Sequence, residues 1–320
     1  MASCDLVSIG LTILDILGRP IDAVPKQGGV KIIEEIRWTP AGTAAAPAMI
    51  AALLGLDVEL RGAVGDDEMG TVLRRGLEQR GVGLAWLDVL PSVRTSATML
   101  PIRSNGDRPA LHAPGAGLFV SLPDDLDALL ETRFLHLGGV GALPRLDGEP
   151  TRRLLAAARA RSIVVTSDLT APGPATKAAL EAALPWVDYW MPTVDEAMLV
   201  SDASEPADAA RWAMDLGARA CVFKDGAAGS LLVNADGATR FPAHEVQVVD
   251  TTGCGDGYCG GFIAALARGL DLETACRFAT ATAGLVALRL GSDGLVRSFD
   301  ETLAFMRDHP LKKKEEETND

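Results

Sequence analysis

Val248-Val-Asp-Thr-Thr-Gly-Cys-Gly-Asp-Gly-Tyr-Cys-Gly-Gly-Phe262 decides how the rest of the chain is read. An apolar strand over 245–249 is expected to run into Asp250-Thr251-Thr252, then into the turn Gly253-Cys254-Gly255-Asp256, then into a helix of small residues. Glycines at a strand-to-helix turn let successive N–H groups converge on one point, and the helix start adds partial positive charge. Gly253, Cys254 and Gly255 would thus receive an anion that develops during a reaction. Asp256 places a carboxylate beside them, which the helix dipole is expected to keep ionised and able to take a proton from an attacking hydroxyl. The plainer alternative is an Asp that caps a helix after a glycine turn. The same surroundings predict that Cys254 is a thiolate, more reactive than Cys4, Cys221, Cys259 or Cys276, unless it is a small buried hydrophobe.

Gly255-Asp-Gly-Tyr-Cys-Gly260 also spells the dinucleotide fingerprint, which would make the chain a nicotinamide-dependent dehydrogenase. That motif needs an acidic residue about 20 positions on, at the end of the next strand. Asp271 and Glu273 instead precede another helix. Gly139-Val-Gly141 lacks its third glycine, because Pro144 stands there, and no Walker loop occurs.

Outward from this stretch, strand-like and helix-like segments alternate, which predicts a mostly parallel sheet with helices on both faces. Strands are expected at 5–9, 58–64, 134–137, 163–167, 189–191 and 220–224, and helices at 44–54, 66–80, 151–161, 175–184, 207–216, 260–268 and 272–288. Lys31–Trp38 and Ser96–Arg103 read as strands outside any βαβ unit, and Asn105-Gly106 suits a hairpin turn. They form either a small β-sheet flap or two unrelated surface hairpins.

The length of 320 residues suits two domains, or one large α/β domain with an appendage. A net charge of −13, with no basic cluster before Lys312-Lys313-Lys314, argues against nucleic acid as a partner. Five cysteines without a CxxC pair and four scattered histidines support neither disulfides nor structural zinc. The first basic residue is Arg19, so the apolar start lacks the positive region of a signal peptide. The small-apolar run 44–56 contains Pro47 and is too short to span a membrane. A reduced, cytoplasmic protein with no membrane partner is expected.

Asp250-Thr-Thr-Gly-Cys-Gly-Asp256 resembles the DTTGAGD motif of ribokinase-like (PfkB-type) carbohydrate and nucleoside kinases. Further motifs stand in the family's order. Asp15 follows Gly10, Ala41-Gly42 falls on a Gly-Gly pair, and Gly62–Gly70 is similar to G-x-V-G-x-D-x-x-G. His112–Ala116 resembles the return from a flap, Pro192–Glu196 an N-x-x-E segment, and Lys224–Gly229 a nucleotide-binding strand and loop. The resemblance implies a doubly wound, mostly parallel α/β sheet over residues 1–310, with a small β-sheet lid from about 18–39 and 92–113. Residues 311–320 would be a charged tail.

It also implies transfer of the γ-phosphoryl group of ATP to a hydroxyl of a sugar, with a nucleoside kinase or a non-catalytic metabolite-binding member as alternatives. Asp256 would be the base, and Gly253, Cys254 and Gly255 the anion hole. Asp15 and Gly42 would contact the acceptor. Lys224, Gly226, Gly229, Thr193 and Thr280 would line the nucleotide site, and Glu196 would hold Mg²⁺ through water. Asp250 and Thr252 resemble a monovalent-cation site, for K⁺. The lid could pair two copies in a homodimer. Ala41, Ala46 and Thr193 depart from the pattern, as do the apolar Leu11 and Ile13, and lost amides remove hydrogen bonds that tell one polyol from another. Thr193 is expected to loosen the metal site.

Overall fold

The structure, a computed structural model, describes residues 4–312. The strand Cys4–Gly10 is buried along nearly its whole length, as a strand inside a helix-covered parallel sheet must be. It belongs to a nine-stranded sheet. The order is Gly237–Phe241, Ser230–Asn234, Ala220–Lys224, Tyr189–Trp190, Val164–Asp168, Thr132–Gly138, Cys4–Gly10, Val58–Arg61 and Val82–Gly83. Only the pairings of Ser230–Asn234 with its two neighbours are antiparallel.

Alternation along the central strand feeds two cores. Leu6 joins the helices Ala45–Leu53, Cys254–Ala267 and Leu272–Ala287, whereas Val7 and Ile9 join Glu149–Ala160, Thr176–Ala183 and Pro206–Asp215. Cys254–Ala267 and Ala45–Leu53 nearly touch. A Cβ added at Gly260 would lie 2.7 Å from the Pro47 carbonyl oxygen, so only glycine permits this approach. His136, fully buried on Thr132–Gly138, donates from Nε2 to the Thr43 carbonyl and accepts at Nδ1 from the Thr166 hydroxyl, both at 2.9 Å. Burial pushes its pKa down to about 4, so the ring is neutral and pins the turn that leads into Ala45–Leu53.

The smaller sheet has four strands, in the order Glu35–Ala41, Ile13–Arg19, Ala97–Pro101, Leu111–Ala113. Its alternation separates two faces. Asp15, Thr39, Thr98 and His112 are opposite one another in register on one face, and Trp38, Ile16, Met99 and Leu111 on the other. A β-sheet flap is therefore correct as architecture, but its extent differs from expectation. Residues 31–34 are not strand, and Ile13–Arg19 is a strand the periodicity did not single out.

Two other differences have local causes. The expected strand 58–64 breaks at Gly62, whose Cβ position lies 2.2 Å from Thr12 Oγ1, and Ala63–Gly65 turns away to pair with Asp88–Leu90. Residues 245–249 are not a strand. They run as irregular chain from the edge hairpin, with Val249 N–H donating to the Ala287 carbonyl. The glycine-rich turn is thus reached from a loop beside Leu272–Ala287. The hairpin itself and the short helix Val194–Ser201 were not anticipated.

Of the expected tail, residues 313–320 lie outside the described residues, while Lys312 N–H donates to the Ala243 carbonyl at 2.8 Å. No helix among the described residues is long and apolar enough to cross a membrane.

Candidate active site

In an open parallel sheet, ligands settle beyond the carboxyl ends of the strands. Here a cavity of about 530 Å³ opens at those ends, beneath the Asp15 face of the smaller sheet. Asp15, Gly42, Thr98, Asp168, Glu196 and Asp256 line it, with apolar wall from Leu11, Ile13, Ala41 and Leu118. A second cavity of about 300 Å³ is lined by Gly226, Gly229, Val246, Thr280, Ala283 and Gly284. The two share Arg108, Thr193, Lys224 and Gly255. The expected acceptor and nucleotide residues therefore divide between two compartments that meet at one wall.

Gly253 begins the helix Cys254–Ala267 in the left-handed region, with φ +73°. A Cβ there would lie 2.5 Å from Ser292 Cβ. Glycine is thus required both by the backbone and by the neighbouring loop. Asp256 sits in the first turn of this helix. Loss of hydration in the cavity pushes its carboxyl up to about 7; Asp168 and Asp15 add to this, while Lys224 and Arg108 oppose it. Helix-dipole ionisation is therefore outweighed, and the expectation of a carboxylate held firmly charged is corrected to one poised near neutrality.

Cys254 is corrected in the same sense. Burial pushes its thiol up to about 12, Asp250 and Asp256 add to this, and Arg108 opposes it. It is a small buried thiol, not an activated one.

Asp15, on Ile13–Arg19, is buried, and its carboxyl is likewise pushed up to about 7, chiefly by loss of hydration. The Thr98 hydroxyl, which bonds it, and Arg108 pull the other way. His112 Nδ1 lies 3.1 Å from that hydroxyl. Gly42, at φ +96°, turns the chain so closely past Leu11 that a Cβ would meet its carbonyl at 2.5 Å.

Lys224, at the end of Ala220–Lys224, does not point freely into the smaller cavity. Its Nζ lies 2.5 Å from Asp168 Oδ2, both side chains being buried, and 3.8 Å from Cys259 Sγ. Asp168, at the end of Val164–Asp168, is a site residue that sequence reasoning missed. The signal was an acid on the last position of an apolar parallel strand, one residue past where the expected strand was ended.

Arg108, also missed, comes from the turn of the smaller sheet; its Nε donates to Thr251 Oγ1 at 3.0 Å. No pattern in the sequence marked it.

Thr193 caps Val194–Ser201 in a reciprocal capping box with Glu196. Its N–H and hydroxyl both donate to Glu196 Oε2 at 2.9 Å, so the short side chain tethers the carboxylate. Glu196 is pushed up from its ordinary range by burial and by Asp168, against Lys224 and Thr193. A buried carboxylate whose ionisation a neighbouring carboxylate opposes fits a divalent cation, and Mg²⁺ ordinarily takes one or two protein carboxylates plus phosphate oxygens. Among the described residues no group of three or more His, Cys, Asp and Glu could cage a metal alone.

Asp250 is fully buried: Oδ1 accepts from the N–H and hydroxyl of Thr252, and Oδ2 from Gly291 N–H. Ser292 Oγ is buried without a partner. Thr280 lines the second cavity while its hydroxyl donates to the Cys276 carbonyl. Trp38 packs over Gly76, away from both cavities.

Comparisons with known proteins bear on the family and the fold. The profile of the pfkB family carbohydrate kinases matches residues 4–297. Aminoimidazole riboside kinase of Salmonella typhimurium is 29% identical over 242 residues, 72% of this chain and 74% of that one. Fructokinase of Klebsiella pneumoniae is 30% identical over 241 residues, 71% of this chain and 77% of that one. The structure of Arabidopsis thaliana ribokinase complexed with ribose and ATP shares the fold, with a TM-score of 0.78 over 96% of this chain and 99% of that one at 22% identity. With a match that spans nearly the whole chain, this protein belongs to the pfkB family of carbohydrate kinases.

Proposed function

We propose that the chain transfers the γ-phosphoryl group of ATP to a hydroxyl of a small polyol, with a sugar as first candidate. The observation that carries this reading is the meeting of the two cavities at Gly255, with Asp256 on the larger side. A nucleotide in the smaller cavity, along Gly226, Gly229 and Thr280, would direct its terminal phosphate at the wall that holds the Gly253–Gly255 amides. An acceptor in the larger cavity would bind Asp15 with its hydroxyls and bring one of them to Asp256. Asp256 takes that proton as the oxygen attacks, and the amides hold the charge on the moving phosphoryl group.

Glu196, supported by Asp168, would hold Mg²⁺, which when bound neutralises phosphate charge. Lys224 holds Asp168 in place between the two compartments. Asp250, Thr252 and the unpartnered Ser292 Oγ would hold a monovalent cation such as K⁺, which supplies positive charge behind the anion hole. A nucleoside is the second reading for the acceptor, favoured by the apolar wall of Leu11, Ile13 and Leu118, which suits the face of a flat ring better than a ring of hydroxyls.

The smaller sheet would close over the acceptor as a lid and exclude water. Its outer face carries Ile36, Met99 and Leu111, exposed at 72%, 59% and 64%, which supports a homodimer formed through the lid. The test is ATP turnover against a panel of sugars and nucleosides, with Mg²⁺ titrated and with K⁺ against Na⁺. Acceptor-dependent ADP release is expected; none with any acceptor would overturn the reading.

A further inference from the structure

The loop 290–293 stands directly behind the anion-binding turn. Gly291 N–H donates to Asp250 at 2.9 Å, and Ser292 fills the space that a Cβ on Gly253 would need. A shift of this loop therefore moves Asp250 and the glycine from which the helix Cys254–Ala267 starts. On its other side the loop is held by two arginines that share one buried carboxylate. Arg37, on the strand Glu35–Ala41, donates to the Leu290 carbonyl and, at 2.6 Å, to Asp293 Oδ1. Arg80 donates to Asp293 Oδ2 from Nε at 3.0 Å and from Nη2 at 2.8 Å.

Buried ion pairs are costly to desolvate, and apolar residues would hold a loop as firmly, so stability alone is a weak reason for this cluster. Its connections suggest another. Thr39 lies opposite Asp15 in register, two residues from Arg37, and the Cβ position of Gly291 packs 3.4 Å from Thr39. One strand thus flanks the acceptor-binding acid and grips the loop behind the phosphoryl-binding amides.

We propose that Arg37 is a positioning residue for phosphoryl transfer: it ties the lid strand beside Asp15 to the 290–293 loop, so that the Gly253–Gly255 amides take their reactive positions when the lid is seated. This rests on the reading of those amides as the anion hole. A planar guanidinium suits the task because it reaches a carbonyl and a carboxylate at once, which an ammonium cannot do in the same geometry.

The experiment compares wild type, Arg37→Ala and Arg37→Lys in kcat, acceptor KM, ATP Kd and Tm, with and without added millimolar guanidinium. A wild type that phosphorylates no acceptor would overturn the kinase reading itself, whatever Arg37 does. With an active wild type, Arg37→Ala is expected to lower kcat about 10- to 100-fold, the size of effect a small misplacement produces, with ATP Kd little changed. Guanidinium should restore part of that loss in Arg37→Ala but not in Arg37→Lys, where the side chain still fills the site. Arg37→Lys should keep its Tm yet lose kcat. Unchanged kcat in either folded variant would overturn the proposal, as would a loss in Arg37→Ala that guanidinium does not relieve. If Arg37→Ala does not fold, Arg37→Lys alone decides: lowered kcat at an unchanged Tm supports the proposal, and a kcat equal to wild type overturns it.

Discussion

Asp15 and Asp256 face one cavity with carboxyls both pushed up to about 7, and Arg108 pulls both back down. A base with that pKa works only once it has lost its proton, so kcat/KM should rise with pH and level off above about 7. Because the two acids feel each other, the apparent value belongs to the pair. Arg108→Ala removes the opposing positive charge, so the acid limb of the profile should move to higher pH. A limb that stays put would separate Arg108 from both acids. Folding stability runs the opposite way: native acids held protonated below about 7 contribute stability that is fully present at about pH 4 and lost as pH rises through about 7. Cys254 shows how burial can reverse an expectation built on local sequence. With its thiol pushed up to about 12, it should label no faster than the other cysteines at pH 8, and Cys254→Ala should retain activity. Peptide mapping that finds Cys254 alkylated first would contradict this.

At the scale of elements, the site is a property of strand ends. Asp168 and Lys224 terminate two parallel strands with Tyr189–Trp190 between them, and their ion pair spans that gap. Lys224→Met leaves Asp168 as a buried, unpaired charge and should destabilise the fold by about 3–5 kcal/mol, measurable by denaturant unfolding. The double variant with Asp168→Leu should recover much of that loss. A single variant as stable as wild type would mean that Asp168 has another partner. Strands such as Cys4–Gly10 and Thr132–Gly138 were legible because buried parallel strands read as short apolar runs. The glycine turn at 253–256 was legible because glycine and Asp spacing records backbone demands directly. Residues 245–249 were misread as strand because an apolar segment packed on a helix carries the same composition. Ile13–Arg19 was missed because Gly10 reads as a terminus, and Arg108 because a side chain that reaches its site from a distant turn leaves no periodic trace.

For the whole molecule, the smaller sheet has two faces of different character. One carries Asp15 and Thr98 over the cavity, while the other leaves Met99 and Leu111 in solvent. Analytical ultracentrifugation should find a dimer that Met99→Glu converts to monomers, and a monomeric wild type would remove the lid as an interface. The proposed phosphoryl transfer depends on one carboxyl group, that of Asp256, beside the wall between two cavities. Asp256→Asn keeps the size and the helix position but cannot take a proton from the acceptor. Measured at pH 8 with a saturating acceptor, its kcat should fall by about 10²–10⁴-fold, the contribution of a positioned general base, while ATP Kd and Tm stay close to wild type. A kcat within a few-fold of wild type would contradict the assignment of Asp256 as base, and with it the proposed mechanism.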